Sequence, residues 1–129
     1  MEAKLIVAAL VAAAVLVGLW AWRRPPRRLS RMDLRALGIA GPAIVQFSTR
    51  SCAPCKAAVP RLRSTAERTN VAFHQVDVGA RPEVARALGI RTVPTIAVAG
   101  GDGTVLGVWT GLPGNGEIAA AALHARDAG

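Results

Sequence analysis

Cysteine is scarce in this chain: of 129 residues only Cys52 and Cys55 carry sulfur that can be oxidised to a disulfide. Structural zinc takes four ligands. With no third cysteine, and with His74 and His124 showing no paired spacing, that ligand set is missing, so no metal is expected and redox chemistry is the better reading of the pair. Acids are also few, 8 against 16 bases, which gives a formal charge of +8 and a pI near 11.4. Alone, that balance would suggest a nucleic-acid partner. A hydrophobic content of 52% and a mean hydropathy of +0.35 argue against it, being too apolar for a small soluble basic domain. Composition likewise excludes disorder and collagen-like order, no internal repeat is present, and the length suits one domain of ordinary size.

Charge is absent altogether from Leu5 to Trp22, 18 residues that also lack proline and contain one glycine. As a helix this stretch is roughly 27 Å long, close to the ~30 Å hydrocarbon core of a bilayer. Lys4 can snorkel at one end, and Trp20 and Trp22 fall where an interfacial aromatic belt lies. A cleaved signal peptide is the competing reading. It wants a basic leading segment and a small-residue cleavage site, whereas here Glu2 balances Lys4 and the apolar run ends in Trp-Ala-Trp followed by Arg-Arg-Pro-Pro-Arg-Arg. A retained transmembrane helix, with the lipid bilayer as a partner through residues 5–22, is therefore expected. Residues 1–41 carry seven bases and two acids, and Arg23, Arg24, Arg27, Arg28 and Arg31 all follow the span. The positive-inside rule then predicts the N-terminus outside and the large domain in the cytoplasm, with the extracytoplasmic arrangement as the alternative. The arginines read as this anchor, helped by anionic lipid, and not as a nucleic-acid surface.

The expected organisation is an anchor over residues 1–22, a basic linker with a short helix over 23–41, and an α/β domain over 42–129. Pro25-Pro26 stiffen the linker. Ser30 and Asp33 form a capping-box-like pair ahead of a short helical face made by Met32, Leu34 and Leu37 and ended by Gly38. Strands are predicted at Ala43 to Ser48, Val71 to Val78, Thr95 to Ala99 and Thr104 to Thr110, the last two joined by Gly100-Gly101-Asp102-Gly103. Helices are predicted from Ala53 to about Arg68 with Pro60 inside, from Pro82 to Gly89, and from Glu117 to about Arg126 with Asn115 as cap. The order β-α-β-α-β-β-α predicts a sheet core flanked by helices. His74 in its strand and His124 near a helix end read as structural.

Both thiols fall in Ser51-Cys52-Ala53-Pro54-Cys55-Lys56, between a strand and the start of a helix. At a helix N-terminus the free backbone N–H groups and the helix dipole stabilise an anion, which favours the Cys52 thiolate. Cys55, one turn on, is placed to attack a mixed disulfide. Arg50 and Lys56 add positive charge, and no acid lies between Gln46 and Pro60 in the sequence to oppose them.

At these residues the chain resembles the thioredoxin family. The run Phe47 to Pro60 looks like the family's strand, active-site motif and first helix, with Pro54 inside the motif, Lys56 after it and Pro60 five residues past Cys55. Val76-Asp77-Val78 looks like the family's next strand end, Arg91-Thr92-Val93-Pro94-Thr95 is similar to its cis-proline loop, and Gly111 matches a glycine after the final strand. The resemblance covers about residues 42–126. It implies a thioredoxin-like fold, a mixed sheet flanked by helices, here preceded by one transmembrane helix. It also implies thiol–disulfide exchange without a cofactor, with Cys52 the exposed nucleophile and Cys55 the more buried resolving thiol. Val93 would offer backbone hydrogen bonds to an extended substrate, Pro94 would be cis, and Ala53, Pro54 and Lys56 would tune the site. Partners would be protein disulfides and an upstream dithiol electron donor, either a reductase or a membrane thiol carrier.

Departures from the family are informative. Gln46 stands where typical thioredoxins carry a buried aspartate that helps take the resolving thiol's proton, and Ser48 and Ser51 stand at tryptophan positions. An amide cannot act as a base near pH 7, so slower turnover is expected. Three readings follow: a membrane-tethered reductase of protein disulfides, an outward-facing domain for extracytoplasmic exchange or cytochrome maturation, and a non-enzymatic redox sensor or partner-binding module. Against the maturation type, only 42 positions separate Cys52 from Pro94. Pro54 is similar to the motif proline of reducing family members, a resemblance that implies a reductant.

Overall fold

Why this sequence folds as it does is clearest at strand β1, Ala43–Ser48, five of whose six residues are fully buried. A strand covered on both faces carries apolar residues continuously, without the alternation of a half-exposed one. The computed structural model describes residues 2–23 and 34–128; the Pro25-Pro26 linker, the cap expected from Ser30 and Asp33, and Met32 of the expected helical face lie outside them. Helix α1 spans Glu2–Arg23, long and apolar enough to cross a membrane, and none of its residues is buried.

The remaining elements are a 3-10 turn at Leu34–Leu37, β1, α2 (Ala53–Thr69), β2 (Ala72–Asp77), α3 (Pro82–Leu88), β3 (Thr95–Ala99), β4 (Val105–Thr110) and α4 (Asn115–Ala128). The four strands form one mixed sheet in the order β2-β1-β3-β4, with β1 parallel to β2 and antiparallel to β3, and β3 antiparallel to β4. This is a thioredoxin fold, as expected.

Two apolar layers sandwich the sheet. On one side Val45 and Phe47 pack with Leu34, Val84 and Leu88 beneath α3 and the 3-10 turn. On the other, Ile44, Ile96 and Val98 pack against Ala58, Leu62 and Ala66 of α2 and Ile118, Ala122 and Ala125 of α4. Burying a side chain such as Phe47 or Leu62 contributes about 1.5–3 kcal/mol, so the two layers hold α2 firmly against β1. Side chains alternate along a strand. Gln46 therefore shares the α2-facing side with Ile44, at the level where α2 begins.

Boundaries differ from expectation where local chemistry intervenes. Val71 is not in β2, because α2 ends with Asn70 in a left-handed conformation (φ 57°) and the Val71 N–H closes that cap on the Ala66 carbonyl. The helical face expected near Leu37 is a single 3-10 turn ended by Gly38 (φ 77°), and α4 begins at Asn115 itself. Gly89, in the left-handed region, ends α3 as expected.

Candidate active site

The chain leaves β1 at Ser48, turns through Thr49, Arg50 and Ser51, and enters α2 at Cys52. Cys52 has extended backbone angles (φ −85°, ψ 99°) and occupies the N-cap, with Pro54 in the first turn. Its Sγ accepts the Cys55 N–H at 3.1 Å. No acid lies in that first turn, so the unpaired N–H groups and the helix dipole face sulfur. Cys52 and Cys55 form a disulfide with S–S 2.05 Å and Cα–Cα 5.2 Å.

Exposure separates the two cysteines, 8% for Cys52 and 2% for Cys55. The expected openness of Cys52 is corrected, however. In the disulfide form it is buried, because its sulfur is turned inward onto Cys55 and the first turn of α2. Ser51, Ala53, Pro54 and Lys56 form the exposed rim.

The Val93–Pro94 peptide bond is cis, as expected from the proline loop. Antiparallel pairing of Phe47 with Thr95 brings this loop to the C-terminal end of β1, the end from which the Cys52 turn departs. Pro94 is buried and Val93 half-buried. The loop is held at two points: Thr95 Oγ1 donates to the Thr92 carbonyl at 2.7 Å, and the Gly111 N–H donates to the Pro94 carbonyl at 2.8 Å. Gly111 does so at φ 79°, a conformation that glycine adopts without strain.

Behind the dithiol, Gln46 is completely buried. Its Nε2 donates to the Cys55 carbonyl at 2.9 Å, and its Oε1 accepts from Gln75 Nε2 at 3.1 Å. Gln75 is the register partner of Gln46 across the parallel β1–β2 pair. An amide dyad thus links β2 to the backbone of the resolving cysteine.

One residue overlooked as part of the site is Asp77. The sequence shows no acid near Arg50 and Lys56, but β2 delivers the Asp77 carboxylate into their neighbourhood, with Oδ2 3.9 Å from Arg50 Nε. Asp77, Arg50, Lys56, Gln75 and Cys55 line a cleft of about 270 Å³. The signal that could have found it is the strand period: Asp77 lies two residues beyond Gln75 and so shares its face. The described residues bring Gln46, Cys52, Cys55 and Lys56 together, place Val93 and Pro94 at the same end of the sheet, and leave His74 and His124 out of the cleft. No group of three or more His, Cys, Asp or Glu that could hold a metal ion occurs among the described residues.

Comparison with known proteins agrees with this arrangement. Residues 35–121 match the family model described as thioredoxin. Thioredoxin Asp f 29 of Aspergillus fumigatus is 44% identical over 59 residues, which is 43% of this chain and 54% of that protein. The chain spans roughly half of the length of the curated relatives it matches. Among solved structures, a mutant thioredoxin from Halobacterium salinarum superposes with a TM-score of 0.61 at 25% identity, covering 67% of this chain and 76% of the other. Spinach chloroplast thioredoxin F superposes with a TM-score of 0.57 at 32% identity, covering 66% and 70%.

Proposed function

The chain belongs to the thioredoxin family, and on that premise we propose that it is a thiol–disulfide oxidoreductase, tethered to a membrane by α1, which reduces protein disulfides. The observation that carries this reading is the placement of Cys52 as the N-cap of α2, bonded to Cys55 and next to a cis-proline loop at the same end of the sheet.

The proposed cycle starts from the dithiol. The Cys55 N–H and the α2 N-terminus favour the Cys52 thiolate, which attacks one sulfur of a substrate disulfide. A mixed disulfide forms and the first substrate sulfur leaves as a thiolate that takes a proton from solvent. Cys55 then loses its proton and attacks Cys52 Sγ, breaking the mixed disulfide and releasing the second substrate thiolate. Two electrons pass to the substrate, and the Cys52–Cys55 disulfide is left for an upstream dithiol donor to reduce. Substrate would lie along the Val93 backbone beside Pro94, with Ala53, Pro54 and Lys56 at the rim of the contact.

In this reading residues 1–22 anchor the chain in the bilayer, 23–41 link, and 42–129 carry the chemistry on the cytoplasmic face. A Cys55→Ser variant expressed in membranes is expected to accumulate mixed disulfides that identify the substrates and their compartment. Absence of trapped species that depend on Cys52 would overturn the reductase reading. Insulin reduction by the wild-type chain, lost in Cys52→Ser, separates an enzyme from a redox sensor.

A further inference from the structure

Resolution of the mixed disulfide requires a proton to leave Cys55, and the residue beneath it cannot take one. Gln46 is neutral, one of its Nε2 hydrogens donates to the Cys55 carbonyl, and its Oε1 accepts from Gln75. The cleft beside Cys55 nevertheless contains a carboxylate. Asp77 is the one acid among the described residues that line it.

The two oxygens of Asp77 have different surroundings. Oδ1 accepts the Gly79 N–H at 2.9 Å and the Ala80 N–H at 3.1 Å, an arrangement that fixes the side chain at the end of β2. Among the described residues Oδ2 forms one ion pair, with Arg50 Nε at 3.9 Å, beyond hydrogen-bonding distance. The Arg50 side chain is 97% exposed, so solvent screens its charge. The other charged group lining the cleft is Lys56, from α2; the guanidinium of Arg81, at the start of α3, faces Glu83 at 3.8 Å. Oδ2 is thus an acceptor held at a fixed position in a cleft that Cys55 also lines. Its volume of about 270 Å³ accommodates several waters, at roughly 30 Å³ each.

We propose that Asp77 is the proton acceptor for Cys55 in the resolving step, through water in this cleft, in the role that the Gln46 position cannot fill. The inference rests on the oxidoreductase reading above. The Cys55 S–H proton passes through water to Asp77, the Cys55 sulfur forms its bond to Cys52 Sγ, the mixed-disulfide bond breaks, and the departing substrate thiolate is protonated by solvent. Asp77 then returns its proton to solvent.

The test is single-turnover reduction of a disulfide-bonded protein, insulin, by the full-length reduced chain in detergent, quenched with acid at intervals and analysed by mass spectrometry for the mixed disulfide. Asp77→Asn retains an Oδ1 acceptor for Gly79 and Ala80, so the turn is kept while the base is lost. The resolving step is intramolecular, so its rate constant does not depend on how much protein is folded. General-base catalysis contributes about 10²–10⁴-fold, so the mixed disulfide should persist at least about 10-fold longer in the variant. Between pH 6 and 8 the wild-type resolving rate should be nearly flat, whereas that of Asp77→Asn should climb about tenfold per pH unit, as hydroxide alone removes the proton. Equal lifetimes within twofold and identical pH slopes would overturn the role of Asp77 alone. A wild-type chain that leaves insulin unreduced, with its own Cys52 and Cys55 still thiols, would overturn the oxidoreductase reading, and this inference with it.

Discussion

Gln46 and Cys55 are joined by a hydrogen bond from the buried Gln46 amide to the Cys55 carbonyl oxygen, 2.9 Å long. The contact crosses from the centre of the sheet to the first turn of α2, so it fixes the resolving cysteine against β1. Gln75 completes the arrangement from β2. The result is a neutral, satisfied amide pair, and no buried side-chain nitrogen or oxygen among the described residues is left without a partner.

Truncating Gln46 should therefore destabilise the domain. Gln46→Ala removes the donor to Cys55 and opens a void at a position with no exposure. Losing a buried hydrogen bond costs about 1–3 kcal/mol, and Gln75, already exposed, can recover its own partner from water. A fall of about that size is expected in unfolding free energy from urea titration followed by circular dichroism. A change below about 0.5 kcal/mol would mean that the contact does not hold α2 in place.

Gln46→Asp should speed disulfide reduction while weakening the fold in a pH-dependent way. A carboxyl at this site has no cation among its hydrogen-bond partners in the described residues, and burial pushes its pKa above the usual carboxylate range. Because the folded state then holds its proton more tightly than the unfolded chain, the variant is most stable at low pH. It should lose stability as pH rises through and beyond the unfolded value near 4. Where the group does ionise, it supplies a second base beneath Cys55. The expected result is faster insulin reduction at pH 8 with a lower melting temperature there than at pH 5. Unchanged rates at pH 8 would show that the Gln46 position does not limit turnover.

How much of this site can be read from the sequence depends on the range of the interaction that creates it. Cys52, Cys55, Pro54 and the α3 cap at Gly89 are legible because their chemistry is local: a cap, a first-turn proline, a left-handed glycine. The proline loop is legible through the motif around Pro94. Asp77 and Gln75 are a different case, since they reach the dithiol only through the parallel register between β1 and β2, which pairs Gln46 with Gln75 and Ser48 with Asp77 across about 29 positions of chain. No local pattern encodes that register. The facing of Gln46 is hidden too, because β1 is buried on both sides and shows no alternation to read. Cys52 was expected to be exposed, and its burial comes from the bond to Cys55, which spacing alone does not reveal.

Gly111 should matter to function, and Gly41 offers its control. Both have positive φ, 79° and 73°, and in neither case does an atom of the described residues beyond the adjoining ones lie within 4 Å of an added Cβ, so backbone strain is what opposes a side chain. Alanine in the left-handed region costs about 1–2 kcal/mol, and a similar loss of stability is expected for Gly111→Ala and Gly41→Ala. The Gly111 N–H, however, donates to the Pro94 carbonyl. Gly111→Ala should therefore raise the KM for a disulfide-bonded protein, while Gly41→Ala should leave it unchanged. Matching KM values for the two variants would show that the proline loop does not depend on Gly111 for its position.

The side of the membrane that the dithiol faces should be set by arginine. Five arginines, Arg23, Arg24, Arg27, Arg28 and Arg31, follow the apolar stretch within nine positions, against Lys4 before it. Such an imbalance near a span favours the cytoplasmic side for the arginine-rich flank. It also accounts for most of the +8 charge, because residues 42–129 carry only nine bases and six acids. Alkaline phosphatase fused to the C-terminus is expected to be inactive, and a green fluorescent protein fused there to be bright. Replacing Arg23, Arg24, Arg27 and Arg28 with glutamine should move a measurable fraction of chains to the opposite orientation and restore phosphatase activity in proportion. High phosphatase activity in the wild-type fusion would instead place the dithiol outside the cytoplasm and assign it to extracytoplasmic exchange.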